Sequence, residues 1–258
     1  MNIREPAVSG LFYPDQPDVL ASNVDKLLKC RQPPASEIRA LVVPHAGYIY
    51  SGGIAGAAFG CLPKGADYNY ILLLGPSHRV AFSGMAVPRA SYFRTPLGDV
   101  PVATEQVEQW VAKDLVEYSD LVHQYEHCLE VQLPFLQRMG IQSPVVPVVV
   151  GEASVEEVAR LIQPVLNDAR VLILISTDLS HYHPYDEARR IDGNTDKRIM
   201  AGACDIRGEE ACGCRALNGL QRALRGSGFK IHRLQYANSG DSAGDRSQVV
   251  GYGAYAVY

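Results

Sequence analysis

Leu41-Val42-Val43-Pro44-His45-Ala46-Gly47 and Ile71-Leu72-Leu73-Leu74-Gly75-Pro76-Ser77-His78 decide how this chain is read. Each is an apolar run closed by Pro and Gly, the pattern of a strand buried on both faces of a parallel sheet. A third run, Val171-Leu172-Ile173-Leu174-Ile175-Ser176-Thr177, leads into Asp178-Leu179-Ser180-His181-Tyr182-His183. In an open α/β sheet, ligands bind just beyond the carboxyl ends of the strands. The ionisable groups at these strand ends therefore point to a metal site or an acid–base site on one rim.

Working outward, residues 39–43 and 68–74 are the first two core strands. An Ala- and Gly-rich helix over 53–62 joins them. Residues 84–88 are a third strand. Helical spacing follows over 104–118 and 126–139, with Gly140 as the stop of the second helix. The valine-rich strand 143–150 carries prolines that make part of it irregular or edge-like. Ser154 caps a helix over 154–167, with Glu157 completing a capping box. Residues 170–176 are the next strand. Helices over 185–203 and 209–225 and strands over 229–236 and 249–257 close the chain. Strands alternate with helices throughout, so the class is α/β. The expectation is one domain over 1–258, with a central mixed, mostly parallel sheet flanked by helices.

The 258 residues are 47% hydrophobic and 20% charged, ordinary for a globular protein. A net charge of −4 without a Lys/Arg run argues against a nucleic-acid surface. The six cysteines (Cys30, Cys61, Cys128, Cys204, Cys212 and Cys214) form no Cys-x-x-Cys pair, so no zinc ribbon is read. Cys212-Gly213-Cys214 is one short pair in a helical region and only a minor ligand candidate. No apolar run approaches a membrane span, and the N-terminus has no signal-peptide core. A reduced, cytoplasmic setting is the default.

Four groups of residues could do chemistry. A lone histidine is usually structural, but His45 and His78 stand at equivalent strand ends. Neutral imidazole is a common metal ligand. A His/oxygen set suits iron, manganese, copper or zinc. In His123-Gln124-Tyr125-Glu126-His127-Cys128-Leu129-Glu130, His127 and Glu130 would share a helix face, while His123 precedes the helix. Asp178 could orient His181 three residues on, or simply cap the following turn. The loop with Asp241, Ser242 and Asp245 could supply a hard ligand or make Asx-turns.

Together these segments resemble the Memo family, whose bacterial and archaeal members are also called AmmeMemoRadiSam system protein B. The resemblance rests on Arg4-Glu5-Pro6-Ala7-Val8-Ser9-Gly10-Leu11-Phe12-Tyr13-Pro14 and Pro44-His45-Ala46-Gly47-Tyr48 with Tyr50-Ser51-Gly52. Gly75-Pro76-Ser77-His78, Glu126-His127-Cys128-Leu129-Glu130-Val131-Gln132-Leu133-Pro134-Phe135 and Ser176-Thr177-Asp178-Leu179-Ser180-His181 extend it over nearly the whole chain. The family is similar in fold to the class III extradiol dioxygenases, which open catechol rings with Fe(II) held by two histidines and a carboxylate. The resemblance implies His45 and His78 as metal ligands and His181 as the acid–base group. It places Asp178 and His127 in the cavity. It sets Ser242 where animal members carry a metal-binding cysteine. Serine is a poor ligand, so a neighbouring carboxylate, Asp241 ahead of Asp245, is the expected third donor.

The implied function is an Fe(II)-dependent, dioxygenase-like redox enzyme acting on a catechol-type small molecule, with copper or zinc as other metals. The alternatives are an accessory or binding protein that works with a radical-SAM partner, and metal-assisted hydrolysis with His181 as base.

Overall fold

The computed structural model describes residues 2–29 and 37–258. Cys30 lies outside them. The strands in chain order are β1 (Ile3–Arg4), β2 (Ala40–Val43), β3 (Tyr70–Pro76), β4 (Met85–Val87), β5 (Tyr92–Thr95), β6 (Gly98–Pro101), β7 (Glu117–Tyr118), β8 (Val145–Val150), β9 (Val171–Ser176), β10 (His181–His183), β11 (Ile231–Asn238) and β12 (Val249–Val257).

Strands β2, β9, β3 and β8 pair in parallel and form the centre of the main sheet. Their side chains are buried on both faces, as continuous Val/Ile/Leu runs require. The full order is β10-β12-β2-β9-β3-β8-β4-β7, with β11 on the other edge of β12. Pairings of β12 with β2, β10 and β11 and of β4 with β8 are antiparallel. A separate three-stranded sheet has the order β1-β5-β6. The expected α/β class with a mixed, largely parallel sheet is what the chain forms. Register pairs Val43 with Ser176 and Leu74 with Ile175. The residues just after β2, β3 and β9 therefore leave the sheet side by side.

Several boundaries differ from the sequence reading, each for a local reason. The first crossover helix spans Tyr48–Phe59. A Cβ on its Gly56 would lie 2.1 Å from the Leu27 carbonyl oxygen, so only glycine allows that approach. The helix read over 104–118 ends at Val111. Asp114 turns the chain at φ 53°, which Asp tolerates better than most residues, and Glu117–Tyr118 joins the sheet. Pro147 lies inside β8 in register with Leu73, not at an edge. Its neighbours Val145 and Val149 bond Ala103 and β4, and Pro147 falls in the gap between those contacts. Ser154 and Glu157 make the expected capping box on the helix Val155–Ile162.

The largest departure is at 126–139. Instead of one helix there is a turn, a 3-10 segment Glu130–Gln132 and a short helix Leu133–Arg138. Pro134 is tolerated only in a first helical turn, so the helix begins beside it. Glu130 turns inward and is fully buried. It pairs with Arg4, accepts from the amides of Ala7 (2.7 Å) and Val8 (3.1 Å), and accepts the Tyr13 hydroxyl. Arg4 in turn donates to the carbonyls of His123 and Glu126. His127 and Glu130 thus serve different partners. No helix among the described residues is long and apolar enough to cross a membrane.

Removing one partner of a buried pair leaves the other charge uncompensated. Glu130→Gln is therefore expected to destabilise the fold by about 3–5 kcal/mol, read from urea unfolding. A loss below 1 kcal/mol would contradict the anchoring role. Buried His123, whose Nε2–H donates to the Ala86 carbonyl, has its pKa lowered to about 4, mainly by burial. The unfolded chain takes up this proton near pH 6.5 and the folded chain near 4. The stability contribution is thus complete above 6.5, drains between 6.5 and 4, and amounts to roughly 3 kcal/mol. In metal-free protein, His123→Gln should flatten the fall in stability over that interval. An unchanged slope would assign it to other groups.

Candidate metal centre

His45 follows β2 directly. Its amide donates to Asp178 Oδ1 at 2.8 Å, which ties the end of β2 to the end of β9. Its Nδ1 lies 2.9 Å from Ser176 Oγ. Ser176 spends its single hydroxyl proton on the Cys128 carbonyl at 2.7 Å and accepts from Gln132 Nε2 at 3.0 Å. Ser176 is therefore an acceptor toward His45, and Nδ1 carries the proton. That leaves Nε2 of His45 as a lone pair facing the cavity.

His78 follows β3. Both its amide and its Nδ1 bond Glu126, at 2.6 and 2.9 Å. The same carboxylate accepts from the amides of His127 (2.9 Å) and Cys128 (3.0 Å). Burial alone would raise the Glu126 carboxyl, but bonds from the His78 ring and from the amides of His78 and Cys128 outweigh it. The group is held well below the usual carboxylate range. An ionised Glu126 accepts the His78 Nδ1 proton and turns the Nε2 lone pair outward.

His127 completes the cluster. The ring centroids lie 5.0 Å apart for His45–His78, 5.5 Å for His45–His127 and 4.8 Å for His78–His127. One ring nitrogen from each lies within 4.8 Å of the others. Phe12 packs edge-on against His127 at 4.8 Å. Burial and the neighbouring His78 hold His45 well below its ordinary pKa. Burial and the neighbouring His45 lower His127 to about 4. Both are thus neutral at pH 7, as metal ligation requires. A second grouping, His78, Glu126 and Cys128, is also close enough to share an ion. Glu126 is already saturated there, and Cys128 is fully buried and donates to the Pro76 carbonyl. It supports the first cluster rather than competing with it.

These histidines line a cavity of about 850 Å³. Asp178 and His181 line it too, beside Tyr50, Tyr182 and Tyr252. Asp178 is buried, which raises its carboxyl, against the pull of the His45 amide and of His181. Its Oδ2 is 3.8 Å from His45 Nε2. His183 lies on the outer wall, 3.5 Å from Glu187. His123 faces Ala86, away from the cluster.

The late loop is placed differently from its expected role. Asp241 accepts the Tyr185 hydroxyl at 2.6 Å and the Asn238 amide at 3.0 Å, capping the 3-10 turn Ser239–Asp241. Ser242 donates to the Ser239 carbonyl. Neither lines the cavity, whereas Ser239, Gly244 and Asp245 do. Asp245 binds Ser247 through both carboxylate oxygens. The Asx-turn reading of this loop is the one its hydrogen bonds follow.

Sequence reasoning missed three participants. Glu126 and Ser176 orient the imidazoles, and neither stands out in a sequence. Cys212 lies in the turn before the helix Cys214–Leu224, with its Sγ 3.3 Å from His45 Nε2. A Cys-Gly pair just ahead of a helix start was the available signal.

Residues 4–256 match the family described as Memo-like protein. A MEMO1 family protein of Methanosarcina mazei is 33% identical over the whole of both chains. One from Aquifex aeolicus is 36% identical over 98% of each. One from Aeropyrum pernix is 33% identical over the whole of both. The crystal structure of an uncharacterized Escherichia coli K12 protein shares the fold at TM-score 0.52 and 11% identity, covering 83% of this chain and 99% of its own. With its sequence matched almost end to end, this chain belongs to the Memo family.

Proposed function

We propose that this chain is a non-haem metal protein whose His45, His78 and His127 hold one divalent transition metal, with Fe(II) as the working ion and a dioxygenase-like redox activity. The observation that carries the reading is the convergence of three ring nitrogens within 4.8 Å on the wall of an open cavity. The donor set fits. Imidazoles suit iron, copper and zinc, whereas calcium and magnesium want oxygen donors. Bound Fe(II) would supply a Lewis-acidic, redox-active centre with open positions.

The chain's own residues do the rest. Ser176 and Glu126 hold the two strand-end imidazoles in their ligating tautomers. Asp178 fixes the His45 backbone. His181, which lines the cavity, would take a proton from a substrate hydroxyl. Phe12, Tyr50 and Tyr252 line the same cavity and would supply apolar contact to an aromatic ring.

One observation favours a second reading, a binding or accessory protein that works with a radical-SAM partner. Leu11, Ile49 and Tyr182 at the cavity mouth are 81%, 70% and 70% exposed.

Loading with Fe(II) under nitrogen tests the metal. Single Ala replacements of His45, His78 and His127 should each weaken iron by about tenfold or more. Asp241→Ala and Ser242→Ala should leave affinity unchanged, since their side chains are engaged outside the cavity. Wild-type affinity in all three histidine variants would overturn the site. Oxygen uptake with a catechol panel tests the chemistry. Tight iron without uptake for any catechol would leave the metal site and favour the accessory reading.

A further inference from the structure

We propose that Cys212 supplies a thiolate to the same metal centre, beside His45. This rests on the three-imidazole reading above. Cys212 Sγ lies 3.3 Å from His45 Nε2, the nitrogen that Ser176 leaves with its lone pair facing the cavity. Nitrogen and sulfur donors at ordinary bond lengths on one tetrahedral ion stand about 3.5 Å apart. This pair has the spacing of neighbouring ligands, while the set of donors within 4.8 Å of one another holds the three histidines without Cys212, so the sulfur turns toward His78 and His127 on binding.

The turn that carries the sulfur is held to the end of β9. The Cys212 amide donates to the Asp178 carbonyl at 3.3 Å, and the Gly213 amide to Thr177 Oγ1 at 2.8 Å. A Cβ on Gly213 would lie 2.6 Å from the Ser176 carbonyl oxygen, so glycine is needed for this approach. The Asp178 amide donates to Sγ at 3.3 Å. Without an ion, burial and the Asp178 carboxylate push the Cys212 thiol well above its usual range, so a bound cation would have to draw the proton off. Among the described cysteines, Cys212 alone lines the cavity with the three histidines. Cys128 is sealed beneath the site, where a Cβ on Gly75 would meet its sulfur at 2.5 Å.

On coordination, the S–H bond breaks and its proton leaves to solvent through the cavity mouth. Sulfur keeps the electron pair and forms the bond to the ion, with no change of oxidation state. A thiolate beside imidazoles shifts preference toward zinc, copper and iron and away from hard cations. The sulfur comes from the β9 side of the cavity, not from the late loop where Ser242 stands.

The test is anaerobic Co(II) titration of the full-length protein, followed optically. Wild type should develop a sulfur-to-cobalt charge-transfer band in the near ultraviolet, together with d–d absorption. Cys212→Ser should lose the charge-transfer band, keep the d–d absorption, and bind cobalt about tenfold or more weakly. Cys214→Ser should retain both. X-ray absorption at the cobalt edge of wild type, which needs no variant, should find one sulfur neighbour at about 2.3 Å. Cobalt bound without sulfur in wild type, or a band that survives Cys212→Ser, would overturn the thiolate and leave the three-histidine site standing. A wild type that takes up no cobalt would bring down both readings.

Discussion

The buried carboxylate of Glu126 is the constraint on which the site depends. It accepts four hydrogen bonds, from the amide and ring of His78 and from the amides of His127 and Cys128. A buried carboxylate stays ionised only when its oxygens are satisfied in this way. One charge therefore sets the backbone of two imidazole-bearing segments and the tautomer of one ring. It also explains the local chain path. Amides that a helix over this segment would direct along its axis are turned onto a side chain, and the segment forms a turn.

The sheet supplies the other half of the arrangement. Because β2, β9 and β3 run parallel, Pro44–His45, Ser77–His78 and Thr177–Asp178 emerge on one rim without any long loop to place them. The two strand-end imidazoles then receive different acceptors. His78 faces a carboxylate, and His45 faces a neutral hydroxyl that also serves Gln132 and Cys128. An imidazole whose far nitrogen faces a carboxylate is the more basic donor. The two imidazoles are thus unequal in donor strength although they occupy equivalent strand ends.

Much of this was legible in the sequence for a physical reason. A strand buried on both faces must be apolar throughout, so the central strands and the histidines at their ends declared themselves. Strand β12 was read to its residue limits from its small and aromatic alternation. The rest depends on contacts distant in sequence. Helical spacing at 126–139 gave no hint that Glu126 and Glu130 turn inward to His78 and Arg4, 48 and 126 residues away. The resemblance brought Ser242 and Asp241 forward, but a position in a sequence carries no side-chain direction. Asp241 instead caps its own turn and holds Tyr185. The Cys212-Gly213-Cys214 pair was noticed, but 167 residues separate Cys212 from His45, so nothing in the sequence placed it beside that ring.

The same short segment also links the centre to its mouth. Glu126 holds His78 and His127, and four residues on, Glu130 holds Arg4, Ala7, Val8 and Tyr13 of the N-terminal arm. Between those anchors the arm turns at Gly10 (φ +79°), presents Leu11 at the rim and lays Phe12 on His127. Phe12 also accepts the Tyr48 amide at the start of the helix that carries Ile49 and Tyr50. The apolar mouth and the polar back wall are therefore one mechanical unit. Displacing the arm would remove the ring that backs His127 and loosen the helix end that frames the opening. The buried Arg4–Glu130 pair thereby ties the arm that carries Leu11 and Phe12 to the segment that carries His127.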